Sequence, residues 1–282
     1  MKLIRYGKAG QEKPGVLIDE KYYDVSHLVN DYDEKFFSEN AIEELKDKIA
    51  AGGLTEIDKT VRLGAPLARP SKIVCVGLNY KDHAAETNMP IPSEPILFFK
   101  STSAIVGPND DLIIPKNSTK TDWEVELAII IGKKASYVEP EDAFDHIAGY
   151  ALHNDYSERA FQIERNGQWV KGKSADTFAP IGPFIATKDE ISNINNLQLW
   201  LKVNDKMMQN GNTSNFIFDV AYMVSYISQF MTLLPGDVIS TGTPAGVGMG
   251  QKPEAWYLKP GDVVELGIEG LGTSKQNVKS YF

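Results

Sequence analysis

Cysteine is nearly absent from this sequence: Cys75 is the single one in 282 residues. No internal disulfide can form. Cys75 sits in the apolar run Ile73-Val-Cys-Val76, where a buried, inert thiol is expected rather than a nucleophile. Cys/His ligand spacing is missing too, which disfavours zinc. No apolar stretch approaches the ~18 residues of a membrane span. The start, Met1-Lys-Leu-Ile-Arg-Tyr6, puts charges where a signal peptide needs its apolar run. There is no Lys/Arg-rich block, and the net charge of −9 argues against a nucleic-acid binder, because phosphates are bound by clustered cations. Repeats and low-complexity segments are lacking as well. What remains is an ordinary globular composition, 42% hydrophobic and 24% charged, and the expectation is a cytoplasmic protein.

The first ~70 residues read as a small α+β module. Lys2 to Arg5, Gly15 to Ile18 and Tyr22 to Val25 look like strands, and Asn40 is placed to cap a helix over Ala41 to Ala50. Pro66, Pro70 and Ser71 mark a boundary, so residues 71–282 form the expected main domain. There, short β-like runs alternate with Gly/Pro loops: Ile73 to Val76, Ile96 to Phe99, Leu112 to Ile114, Val125 to Ile131, Leu197 to Val203, Val238 to Ser240 and Val263 to Ile268. Helical patches appear near Asp82 to Thr87 and Phe218 to Phe230. The class is β-rich α+β rather than a doubly wound sheet.

Within the run Trp123-Glu-Val-Glu-Leu-Ala-Ile-Ile-Ile131, Glu124 and Glu126 are two apart on a strand and leave by one face. Two adjacent carboxylates at the mouth of a buried strand repel unless a cation sits between them. Oxygen ligands suit Mg²⁺, Mn²⁺ or Ca²⁺. A solvated face of an acidic protein accounts for the pair equally well at this point.

Other clusters are polar in the same suggestive way. If Asp82 caps a helix, His83 and Glu86 share its face at i and i+3; a carboxylate beside an imidazole makes a general base, although a surface contact is the plainer reading of the isolated pair. In His153-Asn-Asp-Tyr-Ser-Glu-Arg159, Asp155 offers a third oxygen to the Glu pair and Arg159 suits a substrate carboxylate. The alternative is a capped turn, with Asn154 or Asp155 starting a helix through Ile163. Gly167 to Ser174 matches the phosphate-loop pattern G-x-x-x-x-G-K-S/T, but no apolar strand precedes it and Pro180 follows, so Lys173 is read as a lone cation with another task. Ser240 to Gly248 is a Gly-rich loop able to hold an anion or simply to turn. His27 and His146 have structural roles by default.

Taken in order, Gly-Leu-Asn-Tyr-x-x-His-x-x-Glu from Gly77, Asp122-Trp-Glu-Val-Glu-Leu, Asn154-Asp-x-Ser-x-Arg, Gly172-Lys-Ser and Thr241-Gly-Thr-Pro-x-Gly-Val-Gly resemble the fumarylacetoacetate hydrolase superfamily. Met207 to Gly211 also fits. The resemblance covers Lys72 to the C-terminus and is similar to the longer bacterial members that act on 2,4-dioxo-3-deoxy sugar acids. It implies a β-roll catalytic domain, usually homodimeric, with one Mg²⁺ or Mn²⁺ on Glu124, Glu126 and Asp155. It implies His83, Glu86 and Lys173 as catalytic residues, with the His–Glu pair on a lid segment, and Arg159, Gln162 and Thr243 as substrate contacts. The expected reaction is C–C hydrolysis of a β-diketo acid to a 2-oxo acid and a carboxylic acid; oxaloacetate decarboxylation and dienoate isomerisation or hydration are the alternatives. A polyol tail is expected to meet Thr213-Ser-Asn215.

Overall fold

The computed structural model describes residues 1–38 and 41–281. It is a sheet-rich α+β structure, 34% strand and 22% helix. The larger sheet has eleven strands among the described residues. One row runs Thr55–Ile57, Lys21–Asp24, Lys13–Ile18 and Lys2–Tyr6, and then continues through Ile185–Thr187 and Ile147–Asn154. It ends on Val125–Ile131, Val238–Ser240, Ile73–Gly77 and Ile96–Lys100. A second sheet of five orders Lys206–Asn212, Gln198–Val203, Val263–Ile268, Gly272–Ser280 and Leu112–Ile114. Among the described residues no helix is long and apolar enough to cross a membrane.

Val125–Ile131 is buried at every position. It pairs antiparallel with Ile147–Asn154 on one side and Val238–Ser240 on the other. A strand covered on both faces reads as an unbroken β-branched run, which is why Ile129-Ile130-Ile131 is legible in the sequence. The expected strands from residue 71 onward are present. Segment 1–70 joins the same sheet directly, with Lys2 opposite Ala186 and Leu3 opposite Ile185.

The helices differ from expectation at their starts. Ala41–Ala50 is helical, while Asn40, its expected cap, lies outside the described residues. The helix Lys81–Glu86 begins two residues earlier than a cap at Asp82 would set it, with Tyr80 at the cap position and no side-chain cap. Tyr80 is buried against Phe216, so packing sets that boundary, and Asp82 accepts instead from the His83 N–H at 2.8 Å. Neither Asn154 nor Asp155 starts a helix. Asn154 ends its strand and the Asp155 N–H donates to Glu124 O at 2.9 Å. The helix Arg159–Ile163 follows, capped by the Glu158 carboxylate. Asp219 caps Val220–Phe230 through the Tyr222 N–H at 2.8 Å.

Asp237 pins the entry to Val238–Ser240. Fully buried, it accepts from Ser71 Oγ at 2.6 Å, from the Lys72 N–H at 3.1 Å and from the Leu234 N–H at 2.7 Å, and it pairs with Lys72 Nζ. Asp237→Ala orphans two backbone donors, and the expected loss is roughly 3 kcal/mol of unfolding free energy, read from the urea midpoint. A wild-type midpoint would show that these bonds add nothing.

Candidate active site

Antiparallel pairing sets Val125 opposite Asn154, so Glu124 and Asp155 meet where the two strands leave the sheet. Glu126, one strand period on, joins them. Ligand atoms of Glu124, Glu126 and Asp155 all lie within 4.8 Å of one another, and all three residues are buried. Three cations answer them. Lys173 Nζ donates to Glu124 Oε2 at 2.6 Å and to Asp155 Oδ2 at 2.8 Å. Lys100 Nζ reaches Asp155 Oδ1 at 2.5 Å and Tyr156 O at 3.0 Å. Arg159 donates from its terminal nitrogens to Glu124 Oε1 at 2.7 Å and to Gln162 Oε1 at 3.0 Å, and from Nε to Asp122 Oδ2 at 2.8 Å.

Glu126 is the exception. Its Oε2 accepts from Ser240 Oγ at 2.5 Å and the Gly242 N–H at 2.9 Å, both neutral donors. Burial, then Asp155 and Glu124, push its pKa well above the usual carboxylate range. Burial also works against Asp155, yet Lys100 and Lys173 prevail and hold it low. Burial pulls Lys173 down, but Asp155 and Glu124 raise it more. Thus, among the described residues, four carboxylates, Asp122 included, face three cations, Lys100, Arg159 and Lys173. The unmatched charge, the close oxygens and the absence of soft ligands fit a hard divalent cation.

His83 Nδ1 lies 3.2 Å from Glu86 Oε2, and Glu86 Oε1 accepts from the Gly246 N–H at 2.9 Å. With Nδ1 occupied, Nε2 is the nitrogen left for chemistry. The Gly-rich loop does hold anions, but they are the protein's own: the Gly242 N–H serves Glu126, the Gly246 N–H serves Glu86, and the Gly248 N–H donates to Asp122 at 2.6 Å. A Cβ at Gly250 would stand 2.5 Å from the Glu86 carboxyl carbon, so only glycine leaves that carboxylate its place.

His83, Glu124, Glu126, Gln162 and Lys173 line one cavity of about 380 Å³, with an apolar outer wall. A larger cleft of about 940 Å³ lies beside Arg5, Arg62 and Asp110. Its Arg5 and Arg62 are tied to Asp31, Glu12 and Asp110, and among the described residues the group of carboxylates close enough to share an ion lies elsewhere, at Glu124, Glu126 and Asp155. Lys173 ends the short helix Val170–Lys173. Gly172 packs so closely on Glu158 O and Gln162 that a Cβ would meet them at 2.5 and 2.6 Å; it is a packing glycine rather than part of a phosphate cradle.

Thr243 lines the cavity, and its hydroxyl also braces the strand, donating to Val125 O at 2.9 Å and accepting from Gln209 Nε2 at 2.8 Å. One expectation changes. Thr213-Ser-Asn215 does not line the cavity; the buried Thr213 hydroxyl bonds Leu197 N and Ile194 O, leaving it unable to meet a ligand.

Residues 72–279 match the family model described as fumarylacetoacetate (FAA) hydrolase, C-terminal. The chain belongs to the fumarylacetoacetate hydrolase family. Its members are enzymes that act on small molecules. A Burkholderia multivorans relative, named provisionally as a hydrolase, is 51% identical over 98% of each chain. A maleylpyruvate hydrolase from Sphingobium sp. SYK-6, solved with manganese(II) and pyruvate, is 30% identical with a TM-score of 0.84, covering all of both chains. A 2-hydroxyhepta-2,4-diene-1,7-dioate isomerase from Mycobacterium marinum is 34% identical with a TM-score of 0.77, covering 99% of this chain and 98% of that one.

Against that background, Lys100, Asp122 and Gln209 are the residues that sequence reasoning passed over. Asp122 carried a signal, since it lies two before Glu124 on the same strand face. Gln209, in the Met207 to Gly211 segment, accepts from Val125 N at 2.9 Å and donates to Thr243 and Pro244 O. Lys100 carried none, because a lysine closing an apolar strand reads as an exit to solvent. Replacing it unbalances a buried pair: Lys100→Met should lower stability by roughly 3 kcal/mol, measured by chemical denaturation. An unchanged midpoint would mean that Lys173 compensates Asp155 alone.

Proposed function

We propose that the chain is a divalent-metal-dependent hydrolase that cleaves a C–C bond of a β-diketo acid, an acylpyruvate or 2,4-dioxo-3-deoxy sugar acid. The products are a 2-oxo acid such as pyruvate and a carboxylic acid. The observation that carries this reading is the His83–Glu86 pair opening onto the same cavity as the buried carboxylates. Glu124, Glu126 and Asp155 would hold one Mg²⁺ or Mn²⁺. When bound, the ion supplies Lewis-acid polarisation of the substrate's carboxylate and adjacent keto oxygen.

The chain's own residues supply the rest. Glu86 holds His83 so that Nε2 accepts a proton from water, and the hydroxide equivalent adds to the distal carbonyl carbon. Collapse of that adduct breaks the bond to the methylene carbon and leaves an enolate. Lys173, cationic on the cavity floor, offsets the developing charge, and the proton held by His83 returns to carbon. Arg159 fixes Glu124 and Gln162, and the Gln162 amide nitrogen, without a partner among the described residues, is free to donate to the substrate. Hydrolysis is favoured over isomerisation because only hydrolysis needs an activated water, the task a His–Glu pair serves. Support from relatives is the manganese and pyruvate in the Sphingobium enzyme.

A coupled assay for 2-oxo-acid release, run with Mg²⁺ or Mn²⁺ and with chelator, tests the reading. Metal-dependent release from an acylpyruvate or a 2,4-dioxo-3-deoxy acid is expected; turnover of oxaloacetate alone would make the chain a decarboxylase. His83→Ala should cost roughly 10²–10⁴-fold in kcat while divalent-ion binding, followed by calorimetry, stays intact. Glu126→Gln should instead abolish tight ion binding, and turnover with it, in a folded protein. Gly250→Ala should lower kcat with little change in stability, because its methyl displaces Glu86; wild-type kcat would sink the anchoring role of that loop.

A further inference from the structure

The cavity has two chemically different ends. Its floor carries all the formal charge, on Glu124, Glu126, Arg159 and Lys173. Outward from it the wall is Leu78, Met89, Ile96, Phe98, Ile163 and Trp169. Three of these are exposed for side chains of their size: Met89 at 53%, Ile96 at 36% and Ile163 at 51%. Single exposed hydrophobes are ordinary, but three gathered on the rim of one cavity mark a contact surface. Phe98 and Trp169 meet edge to face at 5.3 Å, and Lys173 Nζ stands 4.9 Å from the Phe98 ring centroid. The apolar wall therefore starts directly beside the charged floor.

No cation serves that outer wall. Among the described residues, Arg159 and Lys173 are the only Lys or Arg side chains lining the cavity, and both are held by the floor carboxylates. Arg165 stacks on Phe161 and Lys171 donates to Arg165 O, and neither lines the cavity. The Thr87 hydroxyl on that side is spent on His83 O and Ala84 O, and the Gln162 amide belongs to the floor, where its oxygen accepts from Arg159. A carboxylate placed against these residues would give up part of its water to apolar surface and meet no cation in return.

We propose that this wall receives the substrate's tail and selects a short, uncharged, apolar chain over one that ends in a carboxylate. The proposal rests on the floor's being the 2-oxo-acid end, as in the function above. It separates this chain from relatives such as the Mycobacterium marinum isomerase, which is named for a dioate.

The test is a matched pair of 2-oxo acids of equal chain length, 2-oxohexanoate and 2-oxoadipate, titrated into Mn²⁺-loaded protein by calorimetry. The expected result is 2-oxohexanoate binding roughly 10²-fold more tightly, the discrimination expected where a partly desolvated carboxylate meets an apolar wall with no partner. Equal binding, a preference for 2-oxoadipate, or failure of both to bind overturns the proposal. Ile163→Arg, at an exposed position, should narrow the ratio at least tenfold by giving the tail carboxylate a partner; an unchanged ratio in the folded variant also overturns it. Because neither probe has a bond to cleave, absence of diketo-acid turnover would remove the hydrolase reading while this ratio still decides the tail.

Discussion

Negative charge buried without enough positive charge is the constraint around which this molecule is arranged. Asp122, Glu124, Glu126 and Asp155 gather at the end of one strand pair, where each is at most 5% exposed. In that setting an uncompensated carboxylate costs several kcal/mol, so the fold commits Lys100, Arg159 and Lys173 to it. It also commits backbone: three N–H groups of the loop after Val238–Ser240 are spent on side-chain carboxylates. Its glycines serve this by allowing the close approaches, and Gly242 and Gly246 adopt positive φ. One short loop thereby sets Glu126, Asp122 and Glu86 relative to one another.

That loop explains why the two halves of the proposed chemistry keep register. Glu86 orients His83, Glu126 belongs to the proposed ion-binding group, and both carboxylates hang from the same few backbone amides. Gln209 adds a cross-brace between Val125 and Thr243. Positioning of this kind is where much catalytic power resides, since small displacements of reacting groups are expensive.

How much of this was legible in the sequence depended on whether burial and periodicity agreed. Glu124 and Glu126 announced themselves by strand period beside an unbroken apolar run. Asp155, His83, Glu86 and Lys173 are far apart in sequence, and only the order of motifs brought them together; the structure does so by sheet pairing and by the packing of short helices. Where the inward face of a strand is polar, the pattern disappears. Gly272–Ser280 buries Ser274 and Gln276 beside Val278, so its nine residues show no hydrophobic alternation and were not anticipated as a strand. Helix starts failed for a related reason: Tyr80 is set by ring packing rather than by a capping side chain. Asp122 and Lys100 were missed because their partners, Arg159 and Asp155, are defined only by the fold.

The ladder between Lys2–Tyr6 and Ile185–Thr187 bears on how such a chain is made. Leu3 finds its neighbour Ile185 only after some 180 further residues have left the ribosome. Until then the first strand pairs with its own hairpin on one edge and with Leu63–Gly64 along Arg5 and Tyr6 on the other, and only the Lys2–Leu3 part of that second edge stays open. Pairings of such long reach are slow to form and leave unpaired edges exposed to wrong partners. During synthesis the nascent chain must therefore wait with its first sheet half built, and the ribosome's pace becomes part of its folding.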